Sequence, residues 1–161
     1  MKKQLSLFVL VGFLSSLSYA GSVTVDVTLN PAGSFKAKTS DIKGTATVKG
    51  DEISASNIAV PLKGIKTGVE LRDKHTLKHL EADKYPEAVL VSATGKGGKG
   101  TGKIKIKGIE KDIAGTYKIS GNNVEAEFDL NLPDFKITGI SYMGVGVEDK
   151  VTLHIVMPIK K

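Results

Sequence analysis

Beyond residue 21 the chain alternates. Val23, Val25, Val27 and Leu29 are separated by Thr24, Asp26 and Thr28, the period-two pattern of a strand with one face buried. Val124, Ala126, Phe128, Leu130 and Leu132 alternate with Glu125, Glu127, Asp129 and Asn131, and Val151, Leu153, Ile155 and Met157 repeat the pattern near the end. Weaker alternation runs through 42–48, 104–106 and 113–119. Around Ser56 the parity slips: Ile53 and Ala55 are odd, whereas Ile58, Val60 and Leu62 are even. A bulge, or a turn between two strands, accounts for such a slip. Turn-forming clusters at 30–33, 50–51, 95–102, 121–123 and 143–146 separate the runs. Together they predict about eight antiparallel strands in a barrel or a sandwich.

One stretch breaks this rhythm. Between Thr67 and Pro86 the residues are crowded with charge and include two of the three histidines. Leu71, Leu77 and Leu80 fall roughly on one side of a helix predicted over about 71–82, with Lys74, Lys78 and Glu81 opposite. Asp73 or Thr76 would cap its start, and Pro86 stops it.

The residues in and after this stretch resemble the YceI family of lipocalin-like, periplasmic lipid-binding proteins. The likeness rests on Thr67-Gly68, Arg72-Asp73-x-His75 and Asp83-Lys84-Tyr85-Pro86, then on the strand and turn Gly102–Lys111. Leu132–Ile137 and Val147–Ile155 resemble the family's last strands. The resemblance spans about residues 22–157. It departs at 76–82, where Lys78-His79-Leu80-Glu81 replaces an aromatic-rich segment. It implies an all-β, antiparallel, lipocalin-like barrel of about eight strands with one short helix inserted. The implied partner is a long-chain lipid: an isoprenoid, a quinone-type chain, or a fatty amide or acid. Under that reading the wall is formed by Leu71, Leu77, Leu80, Ala126, Phe128, Phe135, Ile137, Tyr142, Met143 and Leu153.

Composition sharpens this picture. Residues 1–20 read as a cleavable export signal: Lys2 and Lys3, an apolar run from Leu5 to Leu14, then Ser18-Tyr19-Ala20. Residues 21–161 then form one domain, exported most simply to a bacterial periplasm. The chain has no cysteine, so no disulfide supports the fold and thiol chemistry is excluded. Loss of Lys2 and Lys3 leaves +4 of the formal charge of +6. That excess is a solvated surface or a weak attraction to a membrane. An exposed sheet edge would also allow a homodimer. The inward positions Ala46, Ala55, Ala93, Gly115 and Ala126 are small and there is no Trp, so either an apolar tunnel or an ordinary core fits.

Candidate chemistry is sparse. Gly97–Lys103 nearly spells a phosphate-binding loop, but Ile104 stands where Ser or Thr belongs and a strand follows. It reads as a cationic hairpin tip, and the Lys-rich 96–107 stretch as an exposed edge strand. His75 and His79 have metal-ligand spacing, and Glu81 or Asp83 could add a carboxylate, but such pairs are common on exposed helices without metal, so no metal or other cofactor is expected. Arg72 either braces the helix or, with His75, faces a ligand's polar head. No catalytic constellation stands out, so the protein is not expected to be an enzyme. Aromatics at 6% are too few for a nucleic-acid surface. The alternative function is a structural or protein-interaction module without a lipid.

Overall fold

The computed structural model describes residues 21–160. The export signal read at 1–20 lies outside them. The chain forms β1 (Ser22–Asn30), β2 (Ser34–Thr39), β3 (Ala46–Lys49) and β4 (Glu52–Pro61), then helix α1 (Glu70–His79). There follow β5 (Glu87–Lys96), β6 (Lys99–Ile106), β7 (Ile109–Ser120), β8 (Asn123–Asn131), β9 (Ser141–Tyr142) and β10 (Val145–Lys160).

The alternation read along β1, β8 and β10 is the alternation observed. Val23, Val27, Val124, Phe128, Leu130, Val151, Leu153, Ile155 and Met157 are all buried. Seven strands close a ring, β10-β3-β4-β5-β6-β7-β8. The expected eight antiparallel strands are therefore corrected on two points. The ring has seven members, and the β10–β3 pair is parallel.

That parallel pair is short, comprising Ile159↔Ala46 and Lys160↔Thr47. Along the rest of its length the same edge of β10 pairs with β1, from Val156↔Ser22 to Gly146↔Asn30. β2 pairs with β1, and its Lys38 bridges Lys66 beyond β4. The β1–β2 hairpin is thus wedged into the wall at one end only. Since barrel width grows with strand number, the ring is narrow at the β3 end and flared at the β1–β2 end.

The parity slip near Ser56 is a bulge. Asn57 takes a left-handed conformation, φ 51°, and β5 shifts register against β6 between Leu90 and Ser92. Between β4 and β5 themselves the register holds across the slip, from Ser56↔Ser92 to Ile58↔Leu90. The two irregularities therefore sit face to face and carry both strands through the change of parity together.

Two other expectations are overturned. Leu132–Phe135 forms a 3₁₀ turn instead of a strand, as Pro133 provides no ladder donor. The lysines of β6 do not guard an edge, because β6 pairs with β5 on one side and β7 on the other. Gly97 and Gly98, both with positive φ, form the expected hairpin tip.

At the narrow end glycine is a steric requirement. A Cβ on Gly115 would lie 2.2 Å from the Glu127 carbonyl oxygen and 2.8 Å from the Phe128 Cβ. One on Gly146 would meet only the Ile140 carbonyl oxygen, at 3.7 Å. Gly115→Ala should therefore cost about 1–3 kcal/mol of stability, the usual range for overpacking. Gly146→Ala should be nearly silent in the same thermal melts. Equal effects would show that strand approach at Gly115 is not limiting.

Candidate functional site

Among the described residues, two cavities lie inside the barrel. The smaller, about 80 Å³, lies at the narrow end and is lined by Ala46, Ala55, Ala93, Gly115 and Ala126 among others. The small inward residues therefore do not open a tunnel. They allow the walls to close together, and Tyr117 fills much of what remains: a Cβ on Gly95 would come within 2.4 Å of its ring. The larger cavity, about 430 Å³, occupies the flared end beneath α1. Leu90 and Ile155 border both spaces. The bulged strands divide at the same level. Ile53, Ala55, Ala93 and Gly95 face the small cavity, whereas Ile58, Val60, Ala88 and Leu90 face the large one.

The wall of the large cavity is almost wholly aliphatic. β1 contributes Val23, Val25, Val27 and Leu29, β2 contributes Phe35 and Ala37, and β10 contributes Val147, Val151 and Leu153. Of the residues expected from sequence, Leu80, Ile137, Tyr142, Met143, Leu153, Arg72 and His75 line it. Ala126 and Phe128 face the small cavity instead. Phe135 is only 1% exposed but borders neither space, and packs as solid core. Leu71 is 52% exposed and Leu77 does not reach the cavity.

The helix explains these last two. It spans Glu70–His79 and ends earlier than the expected 82, because Glu81 adopts a left-handed conformation with φ 49°. The Glu81 N–H donates to the Lys78 carbonyl and the Ala82 N–H to the Leu77 carbonyl, the pattern that closes a helix C-terminus. The side of α1 turned to the cavity carries Arg72, His75, Thr76 and His79, spaced by three and four residues as one helical face requires. Leu80 follows as the C-cap residue. The cavity is thus roofed by a polar face rather than by leucines. Starting that spacing at Arg72 instead of Leu71 would have found Thr76 and His79, which the sequence reading did not place at the site.

Asp73 turns away from this face. It accepts hydrogen bonds from the Thr67 N–H (2.7 Å) and the Thr67 hydroxyl (2.6 Å), and Lys66 stands 3.9 Å away. It does not cap α1, whose N-cap is Val69 without a side-chain bond; it ties the incoming loop to the first turn. Arg72 is left to the cavity side. Its guanidinium carbon lies 4.4 Å from the centre of the Phe35 ring, a cation–π contact. Among the described residues it enters no salt bridge. His75 packs against Tyr142, ring centres 6.0 Å apart and tilted by 56°. His79 is held below its ordinary pKa of 6.5, first by burial and then by His75, Lys78 and Lys107. Among the described residues no cluster of three metal-ligating side chains forms around the two histidines. His154 lies on the outer face, between Asp26 and Glu127 at 3.0 and 3.1 Å.

A model of the YceI-like domain matches residues 15–158. The chain belongs to the YceI family. No curated protein sequence matches it. Among solved structures, a polyisoprenoid-binding domain from Saccharophagus degradans, implicated in plant cell wall breakdown, is 10% identical with a TM-score of 0.57. That match covers 86% of this chain and 92% of the other. BcnA from Burkholderia cenocepacia is 13% identical with a TM-score of 0.60, covering 84% of this chain and 94% of the other. At such identities the likeness is one of fold.

The Thr67–Asp73 tie should be pH-dependent. The Thr67 hydroxyl, the Thr67 N–H and the nearby Lys66 and Arg72 charges hold the Asp73 carboxyl below its ordinary value of 3.8. A depressed carboxylate contributes stability above its unfolded pKa and loses it as pH falls through the folded one. Asp73→Asn should therefore melt at a lower temperature than the parent at neutral pH, and the gap should narrow as pH is taken well below 3.8. A gap that stays constant across that range would show that the charge does not hold the loop.

Proposed function

We propose that the chain is a non-enzymatic carrier that holds one apolar lipid chain in the flared end of the barrel. The observation that supports this most is the 430 Å³ aliphatic cavity beneath α1. An empty space of that size forgoes the packing contacts of a filled core. A cavity occupied by lipid recovers them, with about 0.8 kcal/mol gained for each methylene buried. A solid interior would have favoured the structural or interaction module; the hollow weighs against it. The polyisoprenoid-binding description of a solved structural neighbour agrees with a lipid ligand.

Export to a periplasm, through the signal read at 1–20, belongs to the same proposal. So does brief contact with a membrane surface, where such a ligand is loaded. The apolar residues Leu71, Tyr142 and Met143 are 52%, 57% and 84% exposed. Tyr142 and Met143 also line the cavity, and Leu71 lies one turn before His75 on α1.

Ala88 is half-buried on β5, faces the large cavity and opposes Val60. Ala88→Trp should fill the hollow and leave the fold standing. Native mass spectrometry of protein purified from a bacterial envelope should show a discrete, solvent-extractable added mass on the parent and none on the folded variant. Full retention of that mass by folded Ala88→Trp, or no added mass on either, would overturn the reading. Ala126→Trp is the unsuitable choice, since its indole would meet the 80 Å³ space at the narrow end and test packing alone.

A further inference from the structure

The same cavity carries information about which lipid it suits, granted the carrier reading above. Its polar lining is gathered in one place. Arg72, His75, Thr76 and His79 come from α1, and Ser141 and Tyr142 from β9 beside the roof. Among the described residues none that lines the hollow is a carboxylate, and every other lining side chain is apolar. The nearest acid in sequence to Arg72, Asp73, is engaged with Thr67 and Lys66. Glu81, just past the helix, stands 3.6 Å from Lys107 and does not line the cavity. A guanidinium, two imidazoles and hydroxyls with no opposing carboxylate form a donor-rich surface, and its natural complement is an anion. Lys107, whose side chain is only 12% exposed, adds positive potential beside His79.

Volume sets the length. At about 30 Å³ per methylene-sized group, the share of a water molecule in the liquid, the 430 Å³ hollow holds about fourteen such groups. Leu90 and Ile155 border it toward the narrow end, where the remaining space is about 80 Å³. That space adds room for only about three more such groups, too little for a long polyprenyl chain. The wall is smooth aliphatic surface with Phe35 as the one aromatic ring away from the roof, which suits a single flexible chain.

We infer that the ligand is a single-chain anionic amphiphile of about fourteen carbons, its carboxylate or phosphate held under α1 by Arg72 with His75 and His79, and its tail in the flared end.

The test uses purified protein, stripped of lipid by organic extraction and refolded, in a fluorescent-probe displacement assay. The competitors are octanoate, decanoate, tetradecanoate, octadecanoate and docosanoate, with tetradecyl phosphate, 1-tetradecanol and octaprenyl phosphate. Affinity should rise about three- to fourfold per methylene, as the transfer of a methylene from water requires, and level off near tetradecanoate. Tetradecanoate or tetradecyl phosphate should bind at least about tenfold more tightly than 1-tetradecanol, the scale of a charge-assisted hydrogen bond. Whichever anion binds more tightly identifies the head group. Arg72→Gln, verified as folded by circular dichroism, should lose about tenfold for the anions and little for the alcohol. The wild-type series stands alone if that variant fails to fold. Equal binding of alcohol and anion, or tightest binding of octaprenyl phosphate, would overturn this inference while leaving the carrier reading intact. No displacement by any amphiphile would overturn both.

Discussion

One edge of β10 has two partners, and the site depends on that division. Its last two paired residues hold β3 in a parallel pair, and the residues before them hold β1. Where β3 pairs, seven strands close and side chains nearly fill the inside. Where β1 pairs, a hairpin is wedged into the wall and the inside cannot be filled by the same side chains. A single β-barrel thereby obtains a packed foundation and a hollow top. Small residues belong to the first part and branched aliphatic residues to the second. This reverses the simple idea that small residues mark the hollow: alanine and glycine mark the place where strands come close.

The roof follows a second rule. α1 has no fully buried residue, so it is not held by a greasy seam of its own. It is fixed at its start by the Thr67–Asp73 tie and at its end by the turn at Glu81. With the ends secured, the face toward the hollow is free to be polar. The neighbours Arg72 and Asp73 thus divide the work, one pointing at the cavity and the other bracing the loop.

Most of the wall was legible in the sequence because alternation is a local property. The inward faces of β1, β8 and β10 follow from parity alone. The slip at Ser56 was equally visible. Its meaning was not, because it depends on a matching irregularity in β5 that only pairing reveals. The site was read less well. Leu153 and Ile137 reach the large cavity, but Ala126 and Phe128, on a correctly assigned inward face, lie at the wrong level of the barrel. Depth along a barrel axis depends on strand stagger, which periodicity does not encode. The helix misled for another reason. Leucines suggested a buried stripe, whereas Leu71 is turned outward and the polar positions are the ones that count.

The paired bulges at Asn57 and near Val91 constrain how such a chain can change over evolution. Each alone would turn the remainder of its strand inside out, presenting valine and alanine to water and lysine to the interior. Because they face each other across the β4–β5 ladder, the two errors coincide and do no harm. A one-residue deletion in either strand would have to be accompanied by a compensating deletion in its neighbour. Length variation among relatives should thus be confined to hairpin tips, or appear in these two strands as a coordinated pair.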